Sequence, residues 1–384
     1  MRLFDLFRAR KLMTKHDIEV LVASSMDNFG YLTGYFTHYG KYFDIGWIGD
    51  PCLSMAAIPL EKDIEPFLLT VWPDYDIEYV EPWMKDRRYY KPPGYGVEDK
   101  GDFFQVFSEI IKDKKLDKSK IGLELGYESF TTEIASSLMV KRLTKALPNA
   151  KFKNASELLR EMRLIKTDEE MNRIIKSSKI IEKAIKSSFE QVTAGMTEIE
   201  LEWTIRRNLM EDKVDVALIN VNFGKHDLLR PTDRKLEKGD FIRIDLASKY
   251  KQYYGDIART VVFGEPSAKL QKAYRAVQKA HDATIDAINL NVKCSEIFNT
   301  TKDSMKKSGY RYTPPLVGES AGSPVREGPY LGDNDSVIQP RMAFTVEILE
   351  NFGKGSWAGI EDNVVCDKHG CRDITTLAKD LVRI

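Results

Sequence analysis

Phe241-Ile242-Arg243-Ile244-Asp245-Leu246, followed after a turn through Lys249 to Tyr254 by Gly255-Asp256-Ile257-Ala258-Arg259-Thr260-Val261-Val262, decides how this chain is read. Side chains alternate along a strand, so Ile242, Ile244 and Leu246 share one face and Asp245 takes the other. Asp245 is thus expected to face a cavity and not the core. A hairpin through the intervening turn is expected to bring Asp256 across from Asp245. The same grammar recurs downstream. Glu347 lies between Val346 and Ile348 in Ala343-Phe344-Thr345-Val346-Glu347-Ile348, and Glu361 follows Ile360 in Gly359-Ile360-Glu361-Asp362-Asn363-Val364-Val365. An acid on such a strand is costly unless it is paired, protonated or bound to a metal. Four of them suggest a site, although each acid taken alone reads equally well as part of the wet face of an antiparallel sheet.

Upstream, Thr167-Asp168-Glu169-Glu170 has the form of a capping box, and Met171, Ile174, Ile175, Ile181, Ile185 and Phe189 trace one apolar helix face to about Val192. Thr197-Glu198-Ile199-Glu200 repeats the signal before a helix to about Glu211, and another helix is expected from Pro266 to Asn289. Before residue 165 the pattern is different. A helical opening (Leu3, Phe4, Phe7) leads to a strand at Ile18–Ala23 that closes at Ser24-Ser25-Met26-Asp27-Asn28. Strand-like runs follow at Leu53–Ile58 and Pro66–Val71, then a helix from Asp102 to Lys112. Strands alternating with helices imply an α/β domain. The expected division is 1–165 and 166–384.

The 384 residues carry 58 Lys and Arg against 58 Asp and Glu, which removes the electrostatic case for bulk nucleic-acid or anionic-membrane binding. The N-terminus lacks the features of a signal peptide, and no segment is long and apolar enough to span a bilayer. Cys52, Cys294, Cys366 and Cys371 are too sparse for a disulfide framework, which fits a reducing, cytoplasmic setting. Cys366 and Cys371 bracket Asp367-Lys368-His369-Gly370, read as a hairpin turn because no second Cys/His pair completes a metal knuckle.

Ile244-Asp245 with Gly255-Asp256-Ile257-Ala258-Arg259-Thr260, together with Glu347 and Glu361, resembles the creatinase, prolidase and methionine-aminopeptidase superfamily. Asn28-Phe29-Gly30-Tyr31-Leu32-Thr33-Gly34 is similar to the N-terminal domain of creatinases and prolidases, and Leu164-Ile165-Lys166-Thr167-Asp168-Glu169-Glu170 to their interdomain junction. The resemblance covers nearly the whole chain. It implies an α/β N-terminal domain followed by an α+β pita-bread domain, and a homodimer.

The resemblance also marks departures. Where metallopeptidases of the family read Gly-His-Gly-Ile-Gly with a further His-Glu, this chain reads Gly318-Glu319-Ser320-Ala321-Gly322-Ser323-Pro324-Val325-Arg326-Glu327-Gly328-Pro329. Glu319 stands at the metal-ligand position and Arg326 at that of the transition-state histidine. A third family histidine is matched approximately by His226, read either as a surviving base or as an exposed loop residue. Tyr39-Gly40-Lys41 resembles the substrate-anchoring stretch of creatinase, which reaches the neighbouring subunit's pocket; Lys41 and Arg326 would then meet a substrate carboxylate.

Two chemistries follow from the resemblance. With metal, Asp245, Asp256, Glu347 and Glu361 would hold two divalent ions, with Glu319 in place of the family's histidine ligand, and this all-oxygen set favours Mn or Mg over Zn. Without metal, as in creatinase, crowded acids have raised pKa values and act as general acids, with His226 or a carboxylate activating water. The leading expectation is hydrolysis of a C–N bond in a small amino-acid-like substrate, as in creatinase-like and ectoine-hydrolase-like relatives. The alternatives are an Xaa-Pro peptidase or dipeptidase with an altered metal site, and a non-hydrolytic binding protein.

Overall fold

The computed structural model describes residues 1–36, 54–71, 81–90, 102–126, 137–224, 230–324, 326–353 and 355–384. They form two compact units, Met1–Arg163 and Leu164–Ile384. In the first, chain order runs α1 (Leu6–Lys15), β1 (Val20–Ala23), α2 (Met26–Thr33), β2 (Met55–Pro59), β3 (Phe67–Val71), β4 (Asp86–Tyr90), α3 (Phe103–Asp113), β5 (Lys120–Leu123), α4 (Ser137–Ala146), β6 (Lys151–Asn154) and α5 (Ser156–Leu164). The strands make one mixed sheet in the order β4-β3-β2-β1-β5-β6. Val20, Val22, Phe67 and Leu69 pack with Phe103, Phe107 and Ile111 of α3 and with Leu143 of α4. Helix α2 is a local surprise. The Ser25 side chain accepts from the Asn28 amide and so starts a helix where a strand ending was expected; Gly34, at φ 74°, stops it.

The second unit runs α6 (Asp168–Glu190), α7 (Glu198–Glu211), β7 (Asp215–Phe223), β8 (Phe241–Tyr250), β9 (Tyr253–Val262), α8 (Ala268–Ala287), α9 (Cys294–Lys307), β10 (Gly318–Ser320), β11 (Ala343–Asn351), β12 (Trp357–Asp367) and β13 (Gly370–Asp373). Both capping boxes form, with Thr167 and Thr197 each exchanging bonds with the glutamate three residues on. Six strands line up as β10-β11-β12-β9-β8-β7, and β13 pairs with β12. Ile242, Ile244, Leu246, Ile257 and Val261 pack with Ile181, Ile185, Leu201 and Ile205 of α6 and α7. Val346, Ile348, Ile360 and Val364 pack with residues of α8 and α9. Helix α9 was not anticipated from the sequence. Helices thus cover the apolar face, and the residues alternating with these point the other way.

Two expectations change in detail. Asp245 opposes Ala258, while Asp256 opposes Ala247, so the two acids are diagonal and not directly across. They still share a face, because the offset is an even number of residues. Cys366 and Cys371 do face each other across the β12–β13 hairpin, but they are joined in a disulfide. Direct opposition at the end of a hairpin brings the two sulfurs within bonding reach, so the cysteines lend no support to a reducing compartment. Among the described residues no helix is long and apolar enough to cross a membrane.

Candidate metal centre

Strand register places the acids in a line. Reading across the sheet, Asn220 on β7 opposes Asp245, Asp245 opposes Ala258, Ala258 opposes Glu361, and Glu361 opposes Glu347. The small Ala258 side chain leaves space between Asp245 and Glu361. Asp256, two residues before Ala258 and on its face, lies beside that space. One carboxylate oxygen from each of Asp245, Asp256 and Glu361 falls within 4.8 Å of the others. Asp256 and Glu361 are only 2% and 3% exposed. Asp256 Oδ1 is buried without a hydrogen-bond partner among the described residues.

Glu347 and Glu319 complete the acidic wall but have partners of their own. Glu319 on β10 opposes Thr345, diagonal to Glu347. Arg326 donates through Nε to Glu319 Oε1 at 2.9 Å. The buried Arg243, two residues before Asp245 on the same face, donates through Nη2 to Asp245 Oδ2 at 3.1 Å and to Glu347 Oε1 at 2.6 Å. Asn220 Nδ2 also donates to Asp245 Oδ2, at 3.1 Å.

Burial sets the electrostatics. It pushes the Asp256 carboxyl well above the usual range, and Asp245 and Glu319 add to the shift while Arg326 opposes it. Burial likewise raises Glu361, reinforced by Asp256 and Glu347. Burial raises Glu347 against the pull of Arg243 and takes Glu319 to about 7 against that of Arg326. Burial opposes ionisation of Arg243, but Asp245, Glu347 and Glu361 more than compensate and hold it charged. Crowded carboxylates facing an unsatisfied oxygen are what a divalent cation relieves. The gathered groups are all hard oxygen donors, a set suited to a divalent cation. Asp245, Asp256 and Glu361 therefore fit one such ion.

Of the residues singled out in the sequence, Asp245, Asp256, Glu361, Glu347 and Glu319 come together, with Arg326 at the exposed rim. His226, Tyr39 and Lys41 lie outside the described residues. Arg243 and Asn220 were missed as site residues. Arg243 was visible in principle: a cation two residues before Asp245 must share its face. Asn220 was not, because its place depends on the register of β7 against β8.

Residues 172–368 match Metallopeptidase family M24, and residues 6–165 match the Creatinase/Prolidase N-terminal domain. The Xaa-Pro dipeptidase of Pyrococcus horikoshii is 28% identical over 285 residues, spanning 71% of this chain and 80% of that protein. The Xaa-Pro dipeptidase of Lactobacillus delbrueckii subsp. lactis is 24% identical over 98% of both chains. Two solved structures share the fold. An Xaa-Pro dipeptidase from Bacillus anthracis superposes with a TM-score of 0.82 at 21% identity, covering 98% of both chains. A dipeptidase from Pyrococcus horikoshii does so with a TM-score of 0.82 at 24% identity, covering 99% of both. The carboxylate row and the matched families agree, and this chain belongs to Metallopeptidase family M24, with a Creatinase/Prolidase N-terminal domain preceding the peptidase domain.

Proposed function

We propose that the chain is a metal-assisted peptidase acting on Xaa-Pro dipeptides or closely similar short substrates. The observation that carries this reading is the convergence of Asp245, Asp256 and Glu361 around the unpartnered Asp256 Oδ1. The relatives named above, all dipeptidases, support the peptidase alternative better than the creatinase-like expectation that led the sequence reading. Asp245, Asp256 and Glu361 would hold a divalent cation, which when bound would supply Lewis-acid polarisation of the scissile carbonyl and acidify water for attack.

The protein's own groups do the rest. Asn220 and Arg243 aim Asp245 by bonding one of its oxygens. Arg326 uses Nε for Glu319, which leaves its Nη groups, at the rim, to meet the substrate's C-terminal carboxylate. That geometry suits a dipeptide, whose carboxylate lies one residue from the scissile bond. Pairing Lys41 with the same carboxylate across a homodimer remains part of this reading, and sedimentation of the full chain as a monomer would remove it.

The test is hydrolysis of Ala-Pro and Leu-Pro, with creatine as comparison, after addition of Mn. Turnover of the dipeptides and not of creatine is expected. Asp245→Asn should lower kcat/KM by at least about 100-fold with an unchanged circular dichroism spectrum. An unimpaired variant would dismiss the site.

A further inference from the structure

Arg243 is a permanent cation in the wall of a pocket built to hold cations. Its position is constructed and not incidental. Strand alternation directs it to the face of Asp245, and Asp245 Oδ2 and Glu347 Oε1 converge on the single nitrogen Nη2 at 3.1 and 2.6 Å. The side chain is 8% exposed. Gly359 on β12, two strands away across β9, makes room for it: a Cβ there would lie 3.3 Å from Arg243 Nε and would collide with the Leu349 side chain. Glu347 and Asp245 are the two ends of the acidic row, so the guanidinium spans the acids that flank Glu361.

We propose that Arg243 stands where a second metal ion would otherwise sit, so that the pocket takes a single divalent ion on Asp245, Asp256 and Glu361. This rests on the metal-assisted reading above. The division of oxygens supports it. Asp245 Oδ2 is claimed by Asn220 and Arg243, which leaves Oδ1 for an ion, and Asp256 contributes its unpartnered Oδ1. Glu347 is drawn to Arg243, and Glu319 to Arg326. A second ion between Asp245 and Glu347 would compete for the oxygens that neutralise Arg243. A guanidinium cannot give up its proton to escape, and displacing it would leave a buried charge unpaired. The same reasoning gives Glu319 a role as an ion-pair partner in place of a ligand.

The experiment titrates Mn(II) into the full-length, metal-stripped protein, counting bound ions by calorimetry and plasma mass spectrometry and recording electron paramagnetic resonance. One ion per chain with the hyperfine pattern of an isolated Mn(II) is expected. Two ions with an exchange-coupled spectrum, or none, overturn the proposal. Arg243→Met, which keeps the volume and removes the charge, should admit a second ion and produce the coupled spectrum; a folded variant that still binds one overturns the role given to Arg243. Should that variant misfold, the wild-type count and spectrum decide. One bound ion without Xaa-Pro cleavage leaves this inference standing and sinks the peptidase reading, whereas cleavage with two bound ions does the reverse.

Discussion

Arg259 follows Ala258 directly, so its side chain leaves the acidic row and enters the opposite face of the sheet. There Nη2 donates to Asp362 Oδ1 at 2.6 Å, Nε to the Ala378 carbonyl at 3.0 Å, and Nη1 to the carbonyl of Glu361 itself at 2.9 Å. Asp362 Oδ2 lies 3.4 Å from His281 Nε2 and 3.2 Å from Lys379 Nζ. Burial, with Lys379 and Arg259 nearby, lowers His281 to about 3, so it stays neutral near pH 7 and serves packing behind the site. The carboxylate row is therefore held from behind by a buried ion network. Arg259→Met leaves Asp362 without its closest guanidinium and is expected to cost about 3–5 kcal/mol in urea unfolding. Activity should fall as well, because Glu361 loses a backbone anchor. A destabilisation below about 1 kcal/mol would contradict this account.

At the scale of elements, two features of α6 carry predictions. Its capping glutamate, Glu170, accepts from the Thr167 amide and, at 3.0 Å, from the Tyr253 hydroxyl. Burial nevertheless raises its carboxyl from 4.5 to about 7. The folded chain then holds this proton more tightly than the unfolded chain. The contribution to stability is complete below the unfolded value and is lost as pH rises through the folded one. The shift amounts to at most roughly 3 kcal/mol. Glu170→Gln should accordingly lack this decline when urea midpoints are compared between about pH 5 and pH 8. The second feature is the approach of β9 to α6. A Cβ at Gly255 would lie 2.8 Å from the Ser178 amide nitrogen and 3.1 Å from its Cα. Helix backbone cannot rotate away as a side chain can. Gly255→Ala should cost about 1–3 kcal/mol and, by shifting Asp256, weaken metal binding in the same preparation.

At the scale of the whole molecule, each unit has its own apolar core. Among the described residues, the carboxylate site draws on the unit Leu164–Ile384. Scanning calorimetry is expected to resolve two transitions, of which Mn should raise one. At one hundred times the dissociation constant the linkage is about 2.7 kcal/mol, or roughly 5–10 °C for a unit of this size. A single transition, raised as a whole by Mn, would mean that the units unfold as one.

Much of this was legible in the residues. Alternation alone assigned Ile242, Ile244 and Leu246 to the core and Asp245 to the open face, because side-chain direction along a strand is local geometry. Capping at Thr167 and Thr197 was likewise readable, since each box is closed within four residues. The helix at Met26–Thr33 was not, because Ser24-Ser25 serves equally to end a strand or to cap a helix, and the choice depends on what the helix packs against. Alternation did not show which acids converge; the family resemblance supplied that set, and its geometry came from the folded sheet. The diagonal of Asp256, the pairing of Cys366 with Cys371 and the opposition of Glu347 to Glu361 are matters of exact register between consecutive strands, and the gap over Ala258 beside Glu361 is one of pairing between strands far apart in the chain. The sequence by itself determined the faces and the inventory of charges. Only the tertiary structure decided that Arg243 would be neutralised by Asp245 and Glu347 while Asp256 kept an unpartnered oxygen, because ion pairing inside a buried pocket is settled by distances that no spacing along the chain encodes.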